Sequence, residues 1–356
     1  MTLYPQLIID AFKKVRYPGR GEDIVSANMV ADNIRIDGNS VWFSLQLKPQ
    51  DPFAKSLIKA CEQAILTFVG EEVDIKGHID VIVNSPVKEP KVMPLEGVKC
   101  KIAVSSGKGG VGKSTVSANL AIALSKAGYK VGLLDADIYG PSIPKMFNIE
   151  DARPVADENG KIMPIEKYGI KILSIGFFVN PESAIVWRGA MASNAIKQLI
   201  NDAAWGDLDF FLIDLPPGTS DIHLSIIGTI KLDGAVVVST PQQVALADAI
   251  KGIDMFQNDK VNVPILGLIE NMSWFTPKEL PENKYYIFGK DGVKNLAEKR
   301  GLKLLGQIPL VQGICDSGDA GTPIALKNDD IIAQAFENVA KNTIFAELID
   351  KENGKR

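Results

Sequence analysis

The chain has 356 residues, room for one large α/β domain and a smaller companion. Apolar residues make up 46% and charged residues 23%, a globular balance with ample material for a core. The net charge of −4 gives no footing for nucleic-acid or membrane-surface binding, so neither partner is expected. The start, Met1-Thr2-Leu3-Tyr4-Pro5, lacks a basic segment followed by an apolar one, which predicts no secretory leader. Residues 6–16 then place Leu7, Ala11, Phe12 and Val15 at helical spacing. Strand-like runs follow at 29–36 and 41–47, the second alternating Val41, Phe43, Leu45 and Leu47 on one face. Asp37-Gly38-Asn39-Ser40 between them is a hairpin signal. Asp51 and Pro52 predict the cap and first position of a helix with Leu57, Ile58, Cys61 and Ile65 on its apolar face. A strand over 78–83 completes an α-β-β-α-β module, a small α+β domain over 1–85. Pro86, Pro90 and Pro94 among charges mark a linker over 86–98.

From residue 99 to 356 the rhythm changes. Short apolar runs at 101–104, 131–134, 170–174, 210–213, 234–239, 265–270 and 304–308 alternate with helical stretches. Strands apolar on both faces predict a mostly parallel sheet covered by helices on both sides. Right-handed crossovers then gather the loops at the strands' carboxyl ends on one rim, where ligands bind in open α/β sheets.

The first of those loops is Gly107-Lys108-Gly109-Gly110-Val111-Gly112-Lys113-Ser114-Thr115, which fills G-x-x-x-x-G-K-[ST]. Its glycines let backbone N–H groups turn inward around phosphate oxygens. The helix predicted over 116–126 adds its positive end. Lys113 is expected to reach the β- and γ-phosphates and Ser114 to ligate Mg²⁺. Gly107, Gly109 and Gly112 also fit a dinucleotide fingerprint, with Asp135 or Asp137 near the ribose-binding distance. That reading gives no reason for the terminal Gly-Lys-Ser-Thr, so a nucleoside triphosphate is expected. Lys108 is an additional lysine that the phosphate frame itself does not require.

Two acidic motifs follow. An apolar run ends in Asp214, the position of a Mg²⁺-holding carboxylate, and Gly218 stands where a backbone N–H would meet the γ-phosphate. Leu134-Asp135-Ala136-Asp137 leaves another strand end; Asp137 is expected to orient the attacking water, with Asp135 in support. The other reading of both motifs is ordinary: an acid capping a strand, and solvated turn acids. Cys61 reads as core and Cys100 as structural, while Cys315 is the plausible exposed thiol. No C-x-x-C pair occurs, which predicts a reducing compartment, the cytoplasm. His78 and His223 both read as structural.

The two-lysine loop, residues 134–142, residues 214–221 and Glu270-Asn271-Met272-Ser273 together resemble the Mrp-type branch of the MinD/ParA ATPases, over about residues 99 to 340. Val186-Trp187-Arg188-Gly189 and Ser239-Thr240-Pro241-Gln242 add to the likeness. The first module resembles the iron–sulfur-assembly domain often fused ahead of such ATPases. The resemblance implies an ATP-hydrolysing, Mg²⁺-dependent P-loop NTPase that carries iron–sulfur clusters to apoproteins as a homodimer closed around nucleotide. It implies that Lys108 crosses that dimer to the partner's phosphates, and that Asn271 reads the adenine edge; on its residues alone Asn271 reads as a turn residue. Carriers of this type bear C-x-x-C shortly after the Glu-Asn-Met segment, whereas residues 274–289 here contain no cysteine. Since thiolates are the usual cluster ligands, two other functions stay open: a positioning ATPase, and an ATP-gated scaffold for an assembly partner.

Overall fold

The computed structural model describes the chain apart from residues 1–2, 19–21, 32, 48–50, 84–94, 179–188, 278, 281, 329 and 353–356. Pro86, Pro90, Pro94 and the Val186-Trp187-Arg188 segment therefore lie outside the described residues. The chain divides into two compact units, Met1–Val92 and Met93–Arg356.

The first unit holds α1 (Pro5–Phe12), β1 (Arg35–Asp37), β2 (Ser40–Leu47), α2 (Ala54–Phe68) and β3 (Ile79–Val83). Its sheet runs β1-β2-β3, antiparallel then parallel, with Phe43 opposite Ile79. The alternation along β2 buries Val41, Phe43, Leu45 and Leu47 against Ile8, Phe12, Leu57 and Cys61, with the Phe12 and Phe43 rings 4.4 Å apart. Three boundaries differ from the periodicity. α1 stops at Phe12, because tight turns bring Val15 back to accept a hydrogen bond from the Ile24 N–H. The strand expected over 29–36 survives only as β1 and an isolated bridge from Val30 to Leu45. Asp51 does not cap α2: its carboxylate accepts the Phe53 N–H and the Tyr17 hydroxyl, so a turn precedes a helix that begins at Ala54.

The second unit opens with β4 (Val98–Ser105), α3 (Lys113–Lys126), β5 (Val131–Asp135) and α4 (Ile143–Met146). β6 (Ile165–Lys167), β7 (Ile170–Ser174), α5 (Gly189–Asn201), β8 (Leu208–Asp214) and α6 (Asp221–Ile227) follow. β9 (Gly234–Ser239), α7 (Gln243–Gln257), β10 (Ile265–Phe275), α8 (Gly292–Arg300), β11 (Leu304–Leu310), α9 (Gln312–Asp319) and α10 (Ile331–Glu352) complete it. Eight strands form one sheet in the order β11-β10-β9-β4-β8-β5-β7-β6, parallel throughout except for the short edge strand β6.

Both faces of the sheet are buried, as the unbroken apolar runs require. Ile102, Val104, Phe210 and Leu212 pack toward α3 and α10, while Ala103, Phe211 and Ile213 pack toward α5 and α6. Each fully buried aliphatic or aromatic side chain contributes about 1.5–3 kcal/mol, so this double core holds the strand ends rigidly in place. α3 is buried on all sides, from Val116 through Leu124. Its start is therefore fixed by the core rather than by solvent-facing contacts. β4 lies between β8 and β9 at the centre of the sheet, and the loop that leaves it stands over the middle of the rim.

Candidate active site

The loop after β4 is shaped by two glycines. Gly107 passes so close to α7 that a Cβ there would run into the Asp248 backbone carbonyl. Gly112 has a φ of 80° in the left-handed region and starts α3, and a Cβ on it would strike the Asn271 amide. The helix begins at Lys113, three residues earlier than its apolar spacing predicts, which places Lys113, Ser114 and Thr115 in its first turn. Residues 108–115 surround a cavity of about 220 Å³ that Asp137, Ser142 and Pro217 also line.

Four predicted residues meet on the floor of this cavity. The Lys113 ammonium lies 2.8 Å from Asp214 and 3.8 Å from Asp137, and the Ser114 hydroxyl donates to Asp214 at 2.6 Å. Sequence reasoning missed a further member, Ser117, whose hydroxyl lies 2.6 Å from the other Asp214 oxygen. One turn inside α3, Ser117 looks like any helix serine until β8 is laid beside the helix. Asp214 is fully buried, so its charge depends on the lysine and the two hydroxyls. Asp135, opposite Asp214 across β5 and β8, accepts the Asp137 and Ile143 N–H groups and the Ser174 hydroxyl. Burial and the neighbouring Asp214 charge push the Asp135 carboxyl up to about 7, against the pull of Lys113. Asp137 has one oxygen on the Tyr139 and Gly140 N–H groups and the other toward Lys113.

Other predicted residues stand differently. The Gly218 N–H donates to the Ser106 carbonyl at 2.9 Å, so the loop after β8 is latched to the phosphate loop. Lys108 lines the cavity, but its ammonium stands outside the Lys113–Asp137–Asp214 cluster. Asn271 is not in a turn: β10 runs on to Phe275, five residues past the expected end, with a register shift after Asn271 and a positive φ at Met272. Its amide donates to the Val111 carbonyl at 2.8 Å, clamping the phosphate loop from below. Asn271 and Met272 line a second cavity of about 370 Å³, joined to the first through Gly112, Thr115, Ser142 and Met146 and closed by Leu310, Ile314 and Cys315 among others.

The thiols are scattered. Cys61 is buried, and that burial pushes its thiol up to about 12. Cys100 is buried within β4. Cys315 is exposed, and the Asp319 carboxylate beside it holds the thiol above its ordinary range. Among the described residues no group of three or more His, Cys, Asp or Glu side chains is placed to hold a metal ion. Nor is any described helix long and apolar enough to cross a membrane.

A cavity lined by Lys113 and Ser114 that continues into a larger, more apolar one has the shape of a nucleotide site. Residues 97–344 match the model of the NUBPL iron-transfer P-loop NTPases, and residues 5–76 match that of an iron–sulfur cluster assembly protein. The chain belongs to the iron–sulfur carrier family of ParA-type P-loop NTPases. An iron–sulfur cluster carrier protein of Aquifex aeolicus is 50% identical over 72% of this chain and 70% of its own length. One from Synechocystis is 38% identical over 94% of this chain and 95% of its own length. Among solved structures, a nucleotide-binding protein of Archaeoglobus fulgidus in complex with ADP is 36% identical, with a TM-score of 0.59 over 67% of this chain and 94% of its own. The septum site-determining protein MinD of Pyrococcus horikoshii, complexed with Mg-ADP, is 25% identical, with a TM-score of 0.53 over 73% of this chain and 99% of its own. The resemblance in the motifs and the fold thus agree on a MinD/ParA-type α/β NTPase.

Proposed function

We propose that this carrier-family chain hydrolyses ATP as a homodimer closed around two nucleotides, and that closure gates its work for iron–sulfur proteins in the cytoplasm. The observation that carries the proposal is the cluster of Lys113, Ser114, Asp137 and Asp214 at one end of a two-part cavity. Lys113 neutralises buried Asp214 until phosphate oxygens compete for its ammonium. The donor set of one hydroxyl and one carboxylate, both hard oxygen ligands, fits Mg²⁺ completed by phosphate and water oxygens. Bound there, Mg²⁺ would offset charge developing on the phosphates. Asp137, anchored by two backbone N–H groups, is rigid enough to orient a water, which is positioning rather than strong base chemistry. Asn271 lines the second cavity, where the adenine edge would lie.

The partner is a second copy of the chain. Exposed apolar side chains follow the carboxyl ends of β5, β8, β9 and β10: Tyr139, Leu224, Val244, Tyr285 and Ile287, the first 70% exposed. They stand on the rim that carries the nucleotide loop, and Lys108, within that loop, takes no part in the ion pair that holds Asp214. A lysine arriving from the partner would stabilise charge developing in the transition state.

The thiol count favours one refinement. A cluster needs about four protein ligands, and a homodimer supplies two exposed thiols, the paired copies of Cys315. Ligands for cargo must then come from a client or assembly protein, which favours an ATP-gated scaffold over a self-contained cluster holder. Anaerobic reconstitution of the purified protein, followed by absorbance and iron and sulfide counting, is expected to give no stoichiometric cluster. A full cluster that vanishes in Cys315→Ala would return the cargo to this chain's own thiols. Magnesium-dependent phosphate release in the same preparation tests the ATPase, and its absence would contradict the proposal.

A further inference from the structure

The loop between Asp214 and α6 carries Gly218 and Pro217, and its conformation sets how that segment meets the phosphate loop. His223, in the first turn of α6, is fully buried beneath it. One ring nitrogen, Nδ1, accepts the Ser220 backbone N–H at 3.0 Å. The other, Nε2, lies 2.8 Å from the Pro216 carbonyl, an acceptor only, so Nε2 carries the proton. The imidazole therefore ties both ends of the 216–220 loop at once, in a single neutral tautomer. Burial holds the imidazole below its ordinary range, in keeping with that neutral form.

A helix cap alone does not call for histidine. Ser220 and His223 form a capping box, a role that glutamate or glutamine fills at the third helical position. An ionised glutamate has no proton to give the Pro216 carbonyl, whereas histidine supplies acceptor and donor together. The second tie reaches two residues beyond Asp214 and one before Pro217, which lines the phosphate cavity. At the far side of the same loop, Gly218 donates to the Ser106 carbonyl. A loop pinned at Pro216 and Ser220 has its middle, residues 217–219, left to exchange that single latch for a ligand oxygen.

We propose that His223 is a positioning residue that holds the 216–220 loop so that the Gly218 N–H can pass from the Ser106 carbonyl to the terminal phosphate of ATP. The inference rests on the ATP reading of the site, and it assigns to His223 the discrimination of ATP from ADP. ADP, which lacks the terminal phosphate, does not engage the Gly218 N–H and is indifferent to the loop's setting.

The test measures affinities for ADP and for a non-hydrolysable ATP analogue by fluorescence titration, together with kcat and KM for ATP, in the full chain. His223→Ala is expected to keep ADP affinity while losing about tenfold in analogue affinity relative to ADP and in kcat, the scale of one or two lost hydrogen bonds. His223→Gln, with an amide oxygen for Ser220 and an amide N–H for Pro216, is expected to recover most of both, whereas His223→Glu is not. An alanine variant with unchanged ATP-over-ADP preference, or one weakened equally for both nucleotides, overturns the proposal, and so does a glutamate variant as good as glutamine. Because the preference ratio does not depend on turnover, a wild-type protein that binds but does not hydrolyse would refute the ATPase reading and still decide the role of His223.

Discussion

Lys113→Ala is expected to abolish ATP turnover and, at the same time, to destabilise the nucleotide-free protein. The two effects have different origins. Turnover falls because the ammonium beside Asp137 and Asp214 is gone; loss of one such group costs about 10²–10³ in kcat, and here the nucleotide affinity is expected to fall with it. Stability falls because Lys113 lies 2.8 Å from a fully buried carboxylate. Removing one partner of a buried pair typically costs about 3–5 kcal/mol. Asp214 keeps the Ser114 and Ser117 hydroxyls, which places the expected loss at the lower end of that range. Adding Asp214→Asn removes the stranded charge, so the double variant is expected to regain stability in denaturant titrations while phosphate release stays absent. Undiminished turnover in Lys113→Ala would sink the assignment of the site.

Lys108→Ala is expected to behave in another way. Lys108 takes no part in the ion pairs that hold Asp214, so its loss leaves the fold and the ADP affinity of a single chain near wild type. If it acts as a cation delivered across the dimer, turnover falls by about 10³ or more, as for an arginine finger supplied in trans. Stability and turnover are thus expected to separate the two lysines: Lys113→Ala lowers both, Lys108→Ala lowers turnover alone. A Lys108→Ala protein with full turnover would remove the partner chain from the active site.

The parts of the site legible in the sequence are those whose chemistry is local. Gly107, Gly112 and Lys113 announce themselves because the G-x-x-x-x-G-K-[ST] frame leaves few choices of residue at those places. Asp214 is legible because an unbroken apolar run that ends in a carboxylate marks a strand leaving a core at a rim. The parallel order was legible only as a class: apolar runs say that both faces are covered, but not that β4 lies between β8 and β9. β6 was missed because three residues at a sheet edge carry no periodicity. Ser117 and His223 were illegible as site residues for one physical reason. Each acts through a partner about a hundred residues away or across a loop, and neither residue type signals that partnership by itself. Asn271 was misread as a turn because Met272 breaks the strand geometry, while the backbone resumes pairing at Phe275.

The small unit follows the same pattern. The alternation along β2 predicted its buried face in full, since one-sided burial enforces a period of two. The start of α2 was misplaced because Asp51 satisfies the Tyr17 hydroxyl, a contact 34 residues away that local capping rules do not contain. Boundaries set by tertiary hydrogen bonds are those that local signals misplace.

The central claim, one active site built from two chains, is tested most directly by mixing two inactive variants. Lys108→Ala retains its own Lys113, and Lys113→Ala retains a Lys108 to lend. In a mixed dimer one site recovers both lysines if Lys108 acts in trans, and no site does if it acts in cis. An equimolar mixture that exchanges subunits is expected to recover about one quarter of wild-type phosphate release per chain, since half the dimers are mixed and each holds one complete site. A mixture no more active than its two components would contradict the account.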